Sequence, residues 1–473
     1  MLRDVKHQIS DGLLGLRRES GDGVHIKVGV SSMDSGAPVA VTADMDAAQI
    51  KERLGLSPLA DAAMDAVQAG AGQIWCIGVT ASSKGSIGEV TQEGTGTGTV
   101  SVTGEPTNSF GVIVKITGTG GLNAAGFSVS IDGGYSYTDE ITVPLTGKYE
   151  IAGTGLTLTF AADEAAVFQV DDTYRFRTTA PVATNGEILA ALEQIKHFHQ
   201  EFEFIHIVGA SSVELWGAVS AFQQELDTVY KKPAFLLLEA AMPDGEELEA
   251  WVGQMEADRR RISNSNIQVC AAWGRLLRLD GTTQTVNLAG AVSGRYAKAG
   301  VQKSIGQTRI EAGMGFERAV LTELLPAGYD SEVIDRLDKA GYLTFREYDG
   351  LDQIYVYHAN MMASSGSDYR YAEDVRVRNK VIRETRKEAL RLLGSDIDLR
   401  DLKRELEVQA KFVGAALDRM VTAKEISDYE ITVAEGHEGT FPVDETLRLK
   451  IRYLSRGYIR EILVDLGRAA LSA

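Results

Sequence analysis

Three histidines, two cysteines, a glycine-rich loop and a basic helix are the residues whose types and spacing could do chemistry. His197, His199 and His206 are the histidine cluster, and a zinc site would need them to converge. His197 and His199 stand two apart on a predicted helix, where side chains diverge by ~200°, so they cannot share a metal without unwinding it. A solvated or partly packed helix end is the better reading. Gly94-Thr95-Gly96-Thr97-Gly98 has the composition of a phosphate cradle, but no Gly-Lys-Ser/Thr and no helix start follow it. A hairpin or linker fits better. Cys76 and Cys270 both sit in apolar runs and read as small core residues, not a disulfide framework. No glycine fingerprint follows the first strand, and the chain has no nucleophile elbow and no His-Glu-x-x-His. The residues therefore nominate no catalytic group, metal or cofactor. One charged element remains. A strong helix over Val375–Leu393 carries Arg376, Arg378, Lys380, Arg383, Arg386, Lys387 and Arg391 against Glu384 and Glu388. That is either a solvated face bridged by the glutamates or a surface for an acidic partner.

The elements that position these residues fall into blocks. A chain of 473 residues is expected to hold about three domains. Its net charge of −18 argues against nucleic acid as a partner. The N-terminus shows no apolar signal segment and no run is long enough to span a bilayer, so neither export nor direct membrane insertion by the usual routes is expected. Residues 1–23 read as an arm in which Val5, His7 and Ile9 alternate weakly. Residues 24–83 and 181–310 alternate strands with helices, which implies a mainly parallel sheet covered on both faces. Ser57, Pro58 and Gly70 mark a helix start and stop, and Thr184 with Glu187, like Ser211 with Glu214, has capping-box spacing. Between the two α/β segments, residues 84–180 are rich in Gly and Thr, with short alternating runs and glycine turns. They predict an inserted all-β domain.

The tail ends in two alternating runs. In the first, Leu447, Leu449, Ile451 and Tyr453 alternate with Arg448, Lys450 and Arg452. In the second, Tyr458, Arg460, Ile462, Val464 and Leu466 share one face, and Ile459, Glu461, Leu463 and Asp465 the other. An apolar terminal strand must pair, with its own sheet or with the edge of another subunit's sheet.

The order of several segments resembles a known family. Asn287–Lys303 contains Ala-Gly-x-x-Ser-Gly-Arg-Tyr-Ala-x-x-Gly-Val-x-Lys, with Tyr296 and Ala297 where many members carry other residues. After it come Leu343–Tyr348 with Gly350, Ile354-Tyr355-Val356-Tyr357-His358, and Asp368-Tyr369-Arg370-Tyr371 leading into Val375–Arg383. From about residue 24 onward the chain resembles the tail sheath proteins of contractile phage tails and related injection machines, the Mu-like branch in particular. The resemblance implies a non-enzymatic α/β and α+β multidomain subunit. Its α+β core domain would span 311–445, and 446–473 would be a C-terminal strand arm. It also implies that Val5, His7, Ile9, Tyr458, Ile459, Arg460, Ile462 and Val464 exchange strands between subunits, and the basic helix is expected to face a tube. The partners implied are the chain itself, as a helical homopolymer of hexameric rings, an inner tail tube protein, and baseplate and tail-end proteins. Assembly would take place in a bacterial host cytoplasm, giving a virion tail or injection particle. The rival readings are an α/β enzyme with a β-rich accessory domain and a surface-layer or adhesion protein.

Overall fold

The computed structural model describes residues 21–33, 36–162, 167–245 and 247–468. The expected arm residues Val5, His7 and Ile9 lie outside them. The chain forms two compact units, Met1–Asn379 and Lys380–Ala473.

The first unit opens with β1 (His25–Val30), β2 (Val39–Thr42), α1 (Ala47–Leu54), α2 (Pro58–Ala69) and β3 (Gln73–Val79). α2 starts at Ser57, whose hydroxyl accepts from the Ala60 amide, with Pro58 in the first turn, and it stops at Gly70 in the left-handed region. Eight short strands follow: β4 (Thr91–Glu93), β5 (Thr99–Gly104), β6 (Gly111–Gly118), β7 (Gly126–Ser130), β8 (Ile141–Thr142), β9 (Lys148–Ile151), β10 (Leu156–Ala161) and β11 (Thr173–Arg177). They make two antiparallel sheets, β5-β10-β9 and β4-β11-β6-β7-β8. Strand–helix alternation then resumes with α3 (Asn185–Lys196), β12 (Phe204–Ser211), α4 (Val213–Thr228), β13 (Phe235–Ala240), α5 (Leu248–Arg259) and β14 (Ile267–Cys270).

The central sheet has the order β14-β13-β12-β1-β3-β2. All its pairs are parallel except β2 on β3. The α3 start has the expected capping box between Thr184 and Glu187. The one expected at Ser211 and Glu214 is absent. α4 begins a residue later, from Ser212. The Ser211 hydroxyl instead donates to Glu239 O at 2.6 Å and accepts from Trp216 Nε1 at 2.8 Å.

Beyond the sheet come β15 (Trp273–Leu277), β16 (Thr283–Asn287), α6 (Ala289–Lys298), β17 (Phe316–Glu317), β18 (Leu321–Leu325), α7 (Ser331–Ala340), β19 (Phe345–Glu347) and β20 (Gln353–Val356). The expected break at 310/311 does not separate two cores. One apolar cluster runs from Ile26 and Phe204 through Phe316, Leu337, Ile354 and Met362 to Val375. The outer edge of β14 is sealed by this later segment. Leu343 N donates to Val269 O and Ala271 N donates to Leu343 O, both at 3.0 Å, and Met362 N donates to Ile267 O at 2.7 Å. α8 (Ala372–Leu390) begins in the first unit and ends in the second. The second unit also holds α9 (Leu402–Thr422), β21 (Asp428–Val433), α10 (His437–Asp444) and β22 (Leu449–Leu454).

The eight-strand segment packs its own core around Phe127, Phe160, Phe168 and Tyr174. Its two ends lie together, with Val182 N donating to Ser83 O at 3.0 Å. A segment with its own core and adjacent ends should be removable. Replacing residues 84–180 by a short Gly/Ser linker should leave a soluble protein that unfolds cooperatively by circular dichroism. Aggregation with loss of the α/β signal would contradict this.

Candidate assembly interface

The second unit is built around a two-stranded sheet. β21 and β22 pair antiparallel from Asp428 opposite Leu454 to Val433 opposite Leu449. Period two puts Tyr429, Ile431 and Val433, with Leu449, Ile451 and Tyr453, on the half-buried face. That face meets α9. Tyr429 Oη donates to Asp418 Oδ1 at 2.7 Å, and a Cβ at Gly414 would lie 3.2 Å from Tyr429 Oη and 3.3 Å from Ile431 Cγ2. Among the described residues no third strand joins the pair, and a lone hairpin is marginal in water. Between α9 and β21 runs a groove of about 510 Å³ lined by Leu406, Ala410, Ile431 and Val433, with Lys403 and Lys411 beside them.

The first of the two tail runs therefore belongs to this hairpin, so 446–473 is not an arm throughout. After Leu454 the described chain forms no strand. Ile459, Ile462, Leu463, Val464 and Leu466 are between 75% and 92% exposed. Arg460 lies 5.0 Å over the Tyr458 ring. Five large apolar side chains exposed on one short segment make it the candidate interaction surface.

The basic helix does not present one continuous face. Arg376 is fully buried, and its guanidinium meets Glu203, also fully buried, with Nη2 donating to Oε2 at 3.1 Å. The Glu203 charge holds Arg376 above its usual range against the cost of burial. Arg376 also donates to Tyr296 O and Ala299 O and stacks on the Tyr296 ring. Arg378 bonds Ser265 and Asn266 and stacks on Tyr369. Lys380 pairs with Glu425 at 2.6 Å, and Arg383 is buried. These four were expected to face a tube; their burial or internal bonding rules them out as an exposed stripe. Arg386 and Arg391 are exposed and Lys387 is half-buried. Of these, Lys387 pairs with Glu384 and Arg391 with Glu388, which also takes Arg419 from α9.

The other candidates for chemistry are dispersed. His197 caps the end of α3 and packs edge-on against Tyr230, His199 is exposed, and His206 is buried in β12. The described residues contain no group of three or more metal-binding side chains. In the glycine-rich loop, Thr95 N and Gly96 N donate to Asp172 Oδ1 at 2.9 and 3.0 Å, so the chain's own carboxylate takes the place a phosphate would occupy. Cys76 and Cys270 are free and buried, and burial raises both thiols, Cys76 to about 12.

Sequence reasoning passes over Lys27 and Glu239, because each stands inside an apolar run. Lys27 Nζ donates to His206 Nδ1 at 2.7 Å and to Ser293 Oγ at 2.9 Å. His206 Nε2 donates to Glu239 Oε1 at 3.0 Å, which fixes the neutral tautomer. Burial lowers Lys27 to about 8, raises Glu239 to about 7 and lowers His206.

Two family models cover nearly the whole chain: the N-terminal domain of DUF2586 over residues 2–360 and its C-terminal domain over residues 368–471. The chain belongs to the DUF2586 family. No curated protein matches this DUF2586 chain in sequence. Solved structures match in fold. The sheath tail protein of Desulfitobacterium hafniense is 15% identical, with a TM-score of 0.52 over 96% of this chain and 100% of that one. The sheath tail protein of Listeria innocua is 14% identical, with a TM-score of 0.50 over 93% and 96%. The sheath of an extracellular contractile injection system, PVC, in its contracted state is 8% identical, with a TM-score of 0.53 over 99% of both chains. The DUF2586 chain thus has the mixed α/β multidomain fold of sheath proteins.

Two predictions rest on the buried charges. Arg376→Met leaves Glu203 buried and uncompensated, and should cost about 3–5 kcal/mol in urea unfolding. Arg376→Met with Glu203→Gln should recover most of that loss; a double variant no more stable than the single would contradict the pairing. Glu239 has its carboxyl raised from 4.5 to about 7. Its contribution to stability is complete below pH 4.5 and is lost as pH rises through 7, at a cost of about 3 kcal/mol. Lys27 is protonated in both states over that window, so it adds no slope. Glu239→Gln should therefore remove this loss from the pH dependence of the urea midpoint, and an unchanged profile would refute the assignment.

Proposed function

We propose that this protein is the structural subunit of a contractile tail sheath, with no catalytic role. Copies stack as six-fold rings, helically offset, around an inner tube and end on baseplate and tail-end proteins. The sheath contracts to drive the tube through a target envelope. Assembly takes place in a bacterial cytoplasm, and the particle is a phage tail or related injector of the Mu-like branch. The observation that carries the proposal is the pairing of two unmet needs in the second unit: a two-stranded sheet with an open groove, and an exposed apolar run beginning at Tyr458. Each supplies what the other lacks when the run of one copy adds to the sheet of the next. The fold shared with sheath proteins supports the same reading. The N-terminal arm with Val5, His7 and Ile9 is proposed to add a further strand, and Arg386, Lys387 and Arg391 remain the candidates for the tube.

Work in such a machine comes from rigid subunits repacking from a metastable array to a more stable one, with the exchanged strands keeping neighbours joined. An added strand brings backbone hydrogen bonds worth roughly 0.5–1.5 kcal/mol each. It also buries Ile462 and Val464 at roughly 1.5–3 kcal/mol apiece. Lost from every copy, that joint is lost throughout the lattice.

Stopping the chain after Leu454 should therefore give a folded protein that sediments as a monomer or small oligomer, while the full chain forms hollow cylinders in the electron microscope. Cylinders from the truncated chain would sink the proposal. Loss of cooperative unfolding on truncation would instead place the run in its own subunit's sheet.

A further inference from the structure

A cavity of about 390 Å³ opens in the first unit between α2, α6 and the segment around β17. Arg295 of α6 lines it. The guanidinium donates to Ala69 O at 2.9 Å and to Gly315 O at 2.8 Å, and lies 4.2 Å over the Phe316 ring. Among the described residues it meets no carboxylate within ion-pair distance, and its buried Nε donates to nothing. Burial pulls it down to about 10, with Glu317 only partly offsetting the effect. Lys298, one turn on, donates to Gly313 O at 3.0 Å and also has no carboxylate partner among the described residues. Gln353 Oε1, on the same wall, is buried without a donor.

Some buried cations of this chain meet carboxylates, while Lys27 and Arg259, like Arg295, donate to neutral acceptors. Arg376 meets Glu203, Arg278 meets Asp61 and Asp65, and Lys380 meets Glu425. Arg295 faces a cavity whose lining also holds two carboxylates, Asp65, which is paired with Arg278, and Glu317, neither within ion-pair distance of the guanidinium. A desolvated guanidinium favours a carboxylate or phosphate, which it can grip through two parallel N–H groups. The volume suits a small molecule, and Leu276, Phe316 and Val320 give the cavity an apolar wall.

We propose that this cavity binds a small organic anion, a carboxylate or phosphate on a compact apolar body. Arg295 and Lys298 take the charge, and Phe316, Leu276 and Val320 take the body. The proposal does not depend on the sheath reading. The test is calorimetric titration of the full chain with benzoate and with phenyl phosphate. Benzamide serves as the uncharged counterpart, and inorganic phosphate as the anion without a body. Saturable binding of benzoate or phenyl phosphate is expected, at least about tenfold tighter than benzamide or inorganic phosphate. Arg295→Gln should weaken it by about tenfold or more. Because Arg295 also holds the end of α2, Val320→Phe is the second variant. It enlarges an apolar lining side chain and leaves both cations in place, and should abolish binding. No saturable binding of either anion, equal binding of benzamide or inorganic phosphate, or full binding by Val320→Phe would each overturn the proposal.

Discussion

A guanidinium sealed from water has to find a counter-charge and acceptors for all its donors, and the way Arg376 does so organises the first unit. Its partner Glu203 stands just before β12 and also accepts from the Gly23 amide at 2.6 Å, just before β1. The other donors go to Tyr296 O and Ala299 O at the end of α6, where free carbonyls favour a cation. One ion pair thus ties together the approaches to two central strands, the end of α6 and the start of α8. A buried pair is a poor source of net stability, but each half is costly to lose, so it specifies which segments meet.

The two units satisfy their polar and apolar groups to different degrees. In the first, the open edge of β14 is covered from within the chain, and even the Lys27–His206–Glu239 line is hydrogen-bonded throughout. In the second, a hairpin has a helix behind it and, among the described residues, no third strand, and the described chain beyond it exposes its large apolar groups. For an isolated protein that would invite aggregation. For a subunit whose neighbours supply the missing strands, it is a condition for joining into a lattice.

Local signals in the sequence carried well into the structure. Ser57 with Pro58 and Gly70, and Thr184 with Glu187, act within a few residues of themselves, so their spacing is sufficient. Ser211 failed because its hydroxyl has better partners through space, on β13 and on Trp216. The basic helix failed for the same reason on a larger scale. Its cations look alike in sequence, and what separates buried Arg376 from exposed Arg386 is Glu203, distant along the chain. The domain break near 311 was illegible because Leu343 and Met362 complete a sheet edge laid down much earlier. Lys27 and Glu239 carried a signal that was passed over: a charge in the middle of a strand whose neighbours are all apolar.

The central claim is that the run after Leu454 pairs with a different copy of the chain. Disulfide trapping tests it most directly, because the native Cys76 and Cys270 are buried. One variant carries Leu463→Cys, on the outward face of the added strand, and the other carries Thr432→Cys on β21 or Lys450→Cys on β22, on the exposed face of the hairpin. Mixed, allowed to assemble and oxidised, the two should give a cross-linked heterodimer on a non-reducing gel, and none when kept unassembled at high dilution. If neither strand cross-links between copies, and a chain carrying both cysteines closes the bond within itself while still monomeric, the run belongs to its own subunit and the account is wrong.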